Sequence, residues 1–425
     1  MLEILSHQHL KRFVNSNKID WEHIYAFGRI VSKCLGTNDN YLINSEIFST
    51  INWHSAVLIS LFLHDKNSTF VLNEEQLNFL QNNYLPDLRN MGFDFIVENG
   101  QIIFPNHLID LLTMPKLINS FKSKSFANKR IILSGIENIK KDLKEHLRIA
   151  LFKKNWISNL NNYLLVEKKI INTYDYLKKK FFLRKSFNNN YILLEQTEIN
   201  FLTKFFLDNS NFSQEFLDVS NAFSGGWACW VELDNVNFEW ILHLEPIDEL
   251  NEIRKLLMNN NFIFLSALRK DNFFKKYIKK QNIEIDLDVN LKSNFSEKQI
   301  LLYVPSNQML PNNPLFNKLI IEKCKKFTYF RNGLTLILCD DTDLKIKLAT
   351  ELASDYGKRV LLDNVPEMEN NIVCAGYNWW IKNAYQKYIP EQIIIPLLPI
   401  PNLADPIIEM TVAFNKKNSK DWFRE

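Results

Sequence analysis

Short apolar runs alternate with stretches of helical spacing over much of the chain, the pattern of an α/β fold. Residues 41–43 (Tyr-Leu-Ile), 69–72 (Thr-Phe-Val-Leu), 130–133 (Arg-Ile-Ile-Leu) and 262–265 (Phe-Ile-Phe-Leu) read as strands. Between them, residues 21–35 and 56–63 carry helical spacing, and Asn73 stands where an N-cap would open a helix through residue 82. Asn99-Gly100 separates two short apolar runs and reads as a hairpin turn, because both central residues of a type I′ turn need positive φ. From about residue 139 to 217 the pattern shifts to long helical stretches rich in Lys, Asn and Phe. Residues 304–314, rich in Pro and Asn, read as a connection. Alternation then resumes, with helices over 316–327 and 343–356, the second stopped by Gly357, and strands at 334–338, 359–362, 371–374 and 393–395. The pattern predicts two α/β domains with mainly parallel sheets. Residues 1–138 with 230–303 form the first, 139–229 a helical insertion in it, and 304–425 a second, incomplete domain.

A chain of 425 residues with 46% hydrophobic and 13% aromatic residues can build two or three real cores. The net charge of +3 says little, but its distribution says more. Residues 140–185 hold 13 Lys and Arg against 4 Asp and Glu, whereas residues 186–260 hold 12 acidic residues against 3 basic. Such asymmetry marks either a nucleic-acid-facing arm or two solvated faces that neutralise each other. Cys34, Cys229, Cys324, Cys339 and Cys374 include no C-x-x-C pair and are odd in number, which argues against a disulfide framework, a zinc site or a four-cysteine iron–sulfur cluster. Neither a signal-peptide pattern nor a run of about 18 apolar residues is present. A cytoplasmic protein with no membrane contact is expected. The eight histidines do not fall into a catalytic or metal-binding spacing.

Five blocks, taken in order, resemble the motifs of DinG/XPD-type ATP-dependent DNA helicases. Residues 25–29 (Tyr-Ala-Phe-Gly-Arg) stand where that family has its aromatic-x-x-Arg motif on the adenine side, so the resemblance assigns Arg29 to nucleotide contact. Residues 132–138 (Ile-Leu-Ser-Gly-Ile-Glu-Asn) stand at the D-E-A-H box, and Ser266-Ala267-Leu268-Arg269 is similar to S-A-T-L. Residues 333–340 (Gly-Leu-Thr-Leu-Ile-Leu-Cys-Asp) resemble the strand that opens the second motor domain. Residues 393–425, with Leu398-Pro399-Ile400-Pro401 and Asp405-Pro406, resemble the family's closing strand-loop-helix. The resemblance implies two RecA-like domains, with ATP and Mg²⁺ as cofactors and single-stranded or forked DNA as partner.

The chemistry such a motor needs is not found. A phosphate cradle requires close backbone amides, a Lys for the β/γ oxygens and a hydroxyl for Mg²⁺. After strand 41–43 the chain reads Asn-Ser-Glu-Ile-Phe-Ser-Thr-Ile-Asn-Trp-His-Ser, with no Gly and no Lys, although Ser49, Thr50 and Ser55 could offer hydroxyls. Ser134 and Gly135 occupy the place of the Mg²⁺-binding Asp and the water-orienting Glu, and Glu137 lies two residues beyond. The family's Q-x-x-G-R helix would fall after Glu425. No catalytic residue is therefore assigned. Nucleic-acid binding asks for less: cations for phosphates and aromatic platforms for bases. Ser266, Arg269, Lys270, Tyr377, Trp379 and Trp380 are the candidates, the last three near the family's F-W-E-G-like motif. Packing of both tryptophans into a core is the competing reading. Three functions stay open: a non-hydrolysing relative that binds nucleic acid or a partner, an active divergent helicase completed beyond this chain, and an interaction protein with no nucleic-acid role.

Overall fold

The computed structural model describes residues 2–19, 21–49, 53–122, 129–157, 164–184, 190–268, 272–291, 301–306, 309–329, 332–382, 390–398 and 405–417. Among these the strands, in chain order, are β1 (Tyr41–Asn44), β2 (Ser68–Val71), β3 (Ile96–Glu98), β4 (Gln101–Ile103), β5 (Leu108–Leu112), β6 (Arg130–Ser134), β7 (Ile149–Leu151), β8 (Tyr191–Leu193), β9 (Ala228–Asp234), β10 (Glu239–Glu245), β11 (Asn261–Ser266), β12 (Leu287–Asn290), β13 (Thr335–Leu338), β14 (Val360–Leu362), β15 (Ile372–Ala375) and β16 (Gln392–Ile394). Two compact units result: residues 1–296 with 403–425, and residues 297–402.

The first unit is built on an eight-stranded sheet of order β12-β1-β11-β6-β2-β5-β4-β3. Its six strands from β12 to β5 pair in parallel. The inner strands β1, β11, β6 and β2 are almost wholly buried, whereas the edge strand β12 is mostly exposed. The β3–β4 hairpin closes the far edge antiparallel, on Asn99 and Gly100 with φ 50° and 78°. Asn73 caps its helix as the sequence predicts, in a reciprocal capping box with Gln76. On one face lie α1 (Leu2–Asn17), α2 (Ile24–Leu35) and α3 (His54–Phe62). They interlock through buried serines: Ser60 Oγ lies 3.0 Å from Ser6 Oγ and 2.9 Å from Ser32 Oγ. Arg130, at the start of β6, fixes the end of α2 by donating to the carbonyls of Cys34 (2.7 Å) and Asp39 (2.6 Å).

The insertion is helical, and it also carries a four-stranded antiparallel sheet, β7-β10-β9-β8. β9 and β10, expected to lead back into the first domain, complete this sheet instead. Its core is aromatic. Trp240 stacks on Tyr174 at 4.9 Å and meets Trp156 edge-on at 5.2 Å, and the Tyr174 hydroxyl donates to the Trp240 carbonyl at 3.1 Å. The helix Pro406–Lys417 groups with this unit rather than with residues 304–402, because Met410 packs on the insertion's core and its Sδ accepts from Cys229 N–H at 3.2 Å.

The second unit holds a parallel sheet of order β14-β15-β13-β16. Helices Phe316–Tyr329 and Thr342–Tyr356 contribute to its core, the latter capped by Asp341 and ended at Gly357. All five cysteines are buried free thiols, and burial raises their pKa, to about 12 for Cys34, Cys229, Cys324 and Cys374. Among the described residues no helix is long and apolar enough to cross a membrane.

Candidate nucleotide and nucleic-acid sites

The three strands expected to carry nucleotide chemistry are neighbours. β11 lies between β1 and β6, with Asn44 opposite Ser266 and Leu265 opposite Ser134. Their C-terminal ends, where open α/β sheets take ligands, are tied to one another. Ser45 N–H donates to the Ser266 carbonyl (2.9 Å), Ala267 N–H to Glu137 Oε2 (3.1 Å), and Ser134 Oγ to the Val71 carbonyl (2.8 Å). Glu137, two residues past the D-E-A-H position, thus holds the turn after β11. Ser266 is fully buried, and its hydroxyl accepts from Leu268 N–H at 3.2 Å. Asn44, also buried, donates to Asp288 Oδ1 at 2.8 Å.

The connection from β1 to α3 decides what this edge can hold. A phosphate at a helix N-terminus needs that helix's first N–H groups open to solvent. Here the first turn of α3 is sealed: Trp53, His54 and Ser55 are all 0% exposed. Ile47 and Phe48 are buried as well. Phe48 lies 5.2 Å from Trp53 and 5.1 Å from Phe27, and Trp53 lies 6.0 Å from Phe70. Apolar rings pack on both sides of this connection, and Ser55 Oγ is buried there with no hydrogen-bond partner among the described residues. The residues present do not fit a Mg²⁺-nucleotide. Thr50 lies outside the described residues.

Arg29 is exposed on α2, near enough to His7 to help lower that imidazole's pKa after burial has done so. The same motif's Phe27 is fully buried in the aromatic cluster. Arg269 and Lys270 lie outside the described residues. The helix that follows, Asn272–Lys280, buries Phe274 and Ile278 and exposes Lys275, Lys276, Lys279 and Lys280.

In the second unit Tyr377, Trp379 and Trp380 come together on the helix Tyr377–Lys382. They are half-buried and pack against Leu334, Leu336, Leu338, Val373 and Ala375. Tyr377 N–H donates to Asp340 Oδ1 at 2.9 Å and Gly376 N–H to Asp363 Oδ1 at 3.2 Å. Asp340, Asp341 and Asp363 lie at the C-terminal ends of β13 and β14. Lys345 pairs with Asp363 at 2.6 Å. The edge is acidic, which repels a phosphate backbone.

Part of the charge asymmetry resolves into internal pairs. Lys144 reaches Glu249 (3.2 Å) and Glu245 (3.7 Å), Lys153 reaches Glu239 (3.2 Å), and Lys180 and Arg184 reach Glu198 at 2.8 and 2.6 Å. His243 sits between Arg148, 3.2 Å from Nδ1, and Glu232, 2.8 Å from Nε2. Arginine only donates, so Nδ1 accepts and Nε2 carries the proton. This neutral form agrees with a pKa lowered by burial and then by Arg148. These pairs require a basic run to fold back on the acidic run that follows it, which the sequence reading held as one of two outcomes.

A solved structure of S. tokodaii Xpd4 matches with a TM-score of 0.55, over 95% of this chain and 88% of that one, at 12% identity. The chain has an XPD-like helicase fold. A second structure, described as an XPD helicase, matches with a TM-score of 0.52 at 10% identity, over 94% of this chain and 88% of that one. No family model matches the sequence, and no curated protein sequence does. With identity this low the likeness is one of fold. The XPD-like α/β fold expected from the sequence is thus the one observed.

Proposed function

We propose that this chain is an XPD-type helicase relative that does not hydrolyse ATP and serves as a nucleic-acid- or partner-binding protein. The observation that carries the proposal is the burial of the β1–α3 connection, with Phe48 packed on Trp53 and the first turn of α3 closed to solvent. Loss of one catalytic group costs an enzyme orders of magnitude in rate. Here the cradle, its lysine and the D-E-A-H acids are replaced together. Titration of the purified chain with millimolar ATP and Mg²⁺, followed by calorimetry and by melting temperature, tests the proposal. A ligand that binds only the folded state must raise apparent stability. The expected result is no heat of binding and no shift. Saturable binding would overturn the reading of the β1–α3 connection as closed to nucleotide, and ATP hydrolysis by the purified chain would overturn the proposal.

A second reading, an interaction protein with no nucleic-acid role, is favoured by the pairing of Lys144, Lys153, Lys180 and Arg184 with acidic partners of the same chain. It predicts that single-stranded DNA is not bound even at low salt.

A further inference from the structure

Not every cation of the basic run is neutralised, and two of those left over, Lys168 and Lys169, lie beside exposed rings. The helix Leu164–Arg184 places Lys168, Lys169, Asn172, Thr173 and Tyr176 along one face, at spacings of three and four residues. This face and Phe201, on the helix Gln196–Asp208, line an open groove of about 650 Å³. Tyr176 is 62% exposed and Phe201 46%, high values for rings whose neighbours Tyr174 and Phe205 are buried. Lys168 and Lys169 are exposed and make no ion pair among the described residues, and neither does the exposed Lys204, one turn beyond Phe201. Folding alone gives no reason to leave two rings beside three unpaired ammonium groups. Each ring costs solvent-exposed apolar area, and the lysines repel one another.

We propose that this groove is a contact site for single-stranded nucleic acid, with Tyr176 and Phe201 as stacking platforms for bases and Lys168, Lys169 and Lys204 as phosphate contacts. The proposal rests on the nucleic-acid-binding half of the function inferred above and gives it a place on the insertion. The charge selects a polyanion. The rings select one with accessible flat faces, which unpaired bases offer and a duplex hides. Asn172, between the lysines and Tyr176, adds a neutral amide donor suited to phosphate or sugar oxygens.

Fluorescence anisotropy with a labelled oligothymidylate of about 15 nucleotides, long enough for one such groove, tests this on the full chain. Tyr176→Ala and Phe201→Ala should each weaken binding roughly tenfold. Lys168→Gln with Lys169→Gln should flatten the dependence of log K on log salt by about 1.4, since each single-strand phosphate contact contributes about 0.7. All these side chains are exposed, so melting temperatures should stay unchanged, and a duplex of the same length should bind more weakly. Binding by the parent chain that none of these variants alters would overturn the site while leaving nucleic-acid binding intact. No binding by the parent chain would overturn both. Displacement of the oligonucleotide by polyglutamate at equal charge concentration, with no effect of the ring substitutions, would overturn the site in favour of an acidic protein partner.

Discussion

Glu198 shows how a single buried charge holds the insertion together. It is 2% exposed, yet its carboxylate accepts from Arg184, Lys180 and the Glu195 N–H at 2.6, 2.8 and 2.8 Å. Burial alone would raise its pKa, but these bonds outweigh burial and hold the carboxyl below its ordinary range. A carboxyl depressed in the folded state gives stability that is present in full above its unfolded pKa of about 4.3 and is lost as pH falls through the folded value. Glu198→Gln takes the counter-charge from Lys180 and, among the described residues, leaves Arg184 only Glu195, 3.2 Å away. Both cations are partly exposed, so the cost should be about 2 kcal/mol at pH 7, below that of a fully buried pair. Urea titrations of both proteins from pH 7 to pH 3 check this. The gap between them should narrow below about pH 4.3, and a gap that stays constant across that range would remove Glu198 as its cause.

At the scale of elements, the packing of α1 on α2 turns on Gly28. A Cβ there would come within 2.7 Å of Leu10 Cδ2, and Leu10 is fully buried with little room to move. Alanine in a helix interior is worth about 1 kcal/mol over glycine, whereas overpacking a core costs about 1–3 kcal/mol. Gly28→Ala should therefore be neutral to destabilising by up to about 2 kcal/mol in the parent chain. It should become stabilising when Leu10→Ala has already opened the space. A double-mutant cycle by chemical denaturation measures the difference, and a stabilising Gly28→Ala in the parent chain would mean that the helices move apart freely. Elements of this kind were readable where local chemistry dictates them. Asn99-Gly100 needs positive φ, Asn73 caps its helix and Gly357 ends its helix, so each was found from the sequence, whereas the reciprocal bond from Gln76 was not. The antiparallel sheet of the insertion was not. β7 and β8 are three residues each, too short to show alternation among Lys, Asn and Phe, and β9 and β10 are apolar on more than one face because helices cover them. The sealed turn before α3 did leave a sequence signal, Ile47-Phe48 and Trp53 in place of glycines, but only the packing of Phe27 and Phe70 against them shows that the space is filled. The groove at Tyr176 could not be read at all, because Lys168 and Lys180 look alike in sequence and differ only in whether an acidic residue from a later helix reaches them.

For the molecule as a whole, the placement of the cores decides how it should unfold. Among the described residues, 1–296 with 403–425 hold three buried clusters, and 297–402 hold two of their own, around Leu348 and around Leu336. Cooperative unfolding follows shared cores, and chains with separate ones depart from two-state behaviour. Calorimetric melting should therefore show two transitions. Leu348→Ala, at a fully buried position of the second unit, removes about 2–5 kcal/mol and should move one transition down by several degrees while leaving the other in place. Leu202→Ala, equally buried in the insertion, should do the reverse. One transition shifted as a whole by either substitution would show that the two units unfold as one. Independence also bears on function. Under the proposed reading, ATP has no site in the unit that buries Phe48 and Trp53. If ATP leaves both transitions unmoved while single-stranded DNA raises only that of the unit carrying Tyr176 and Phe201, then the XPD-like architecture survives here as a scaffold for binding.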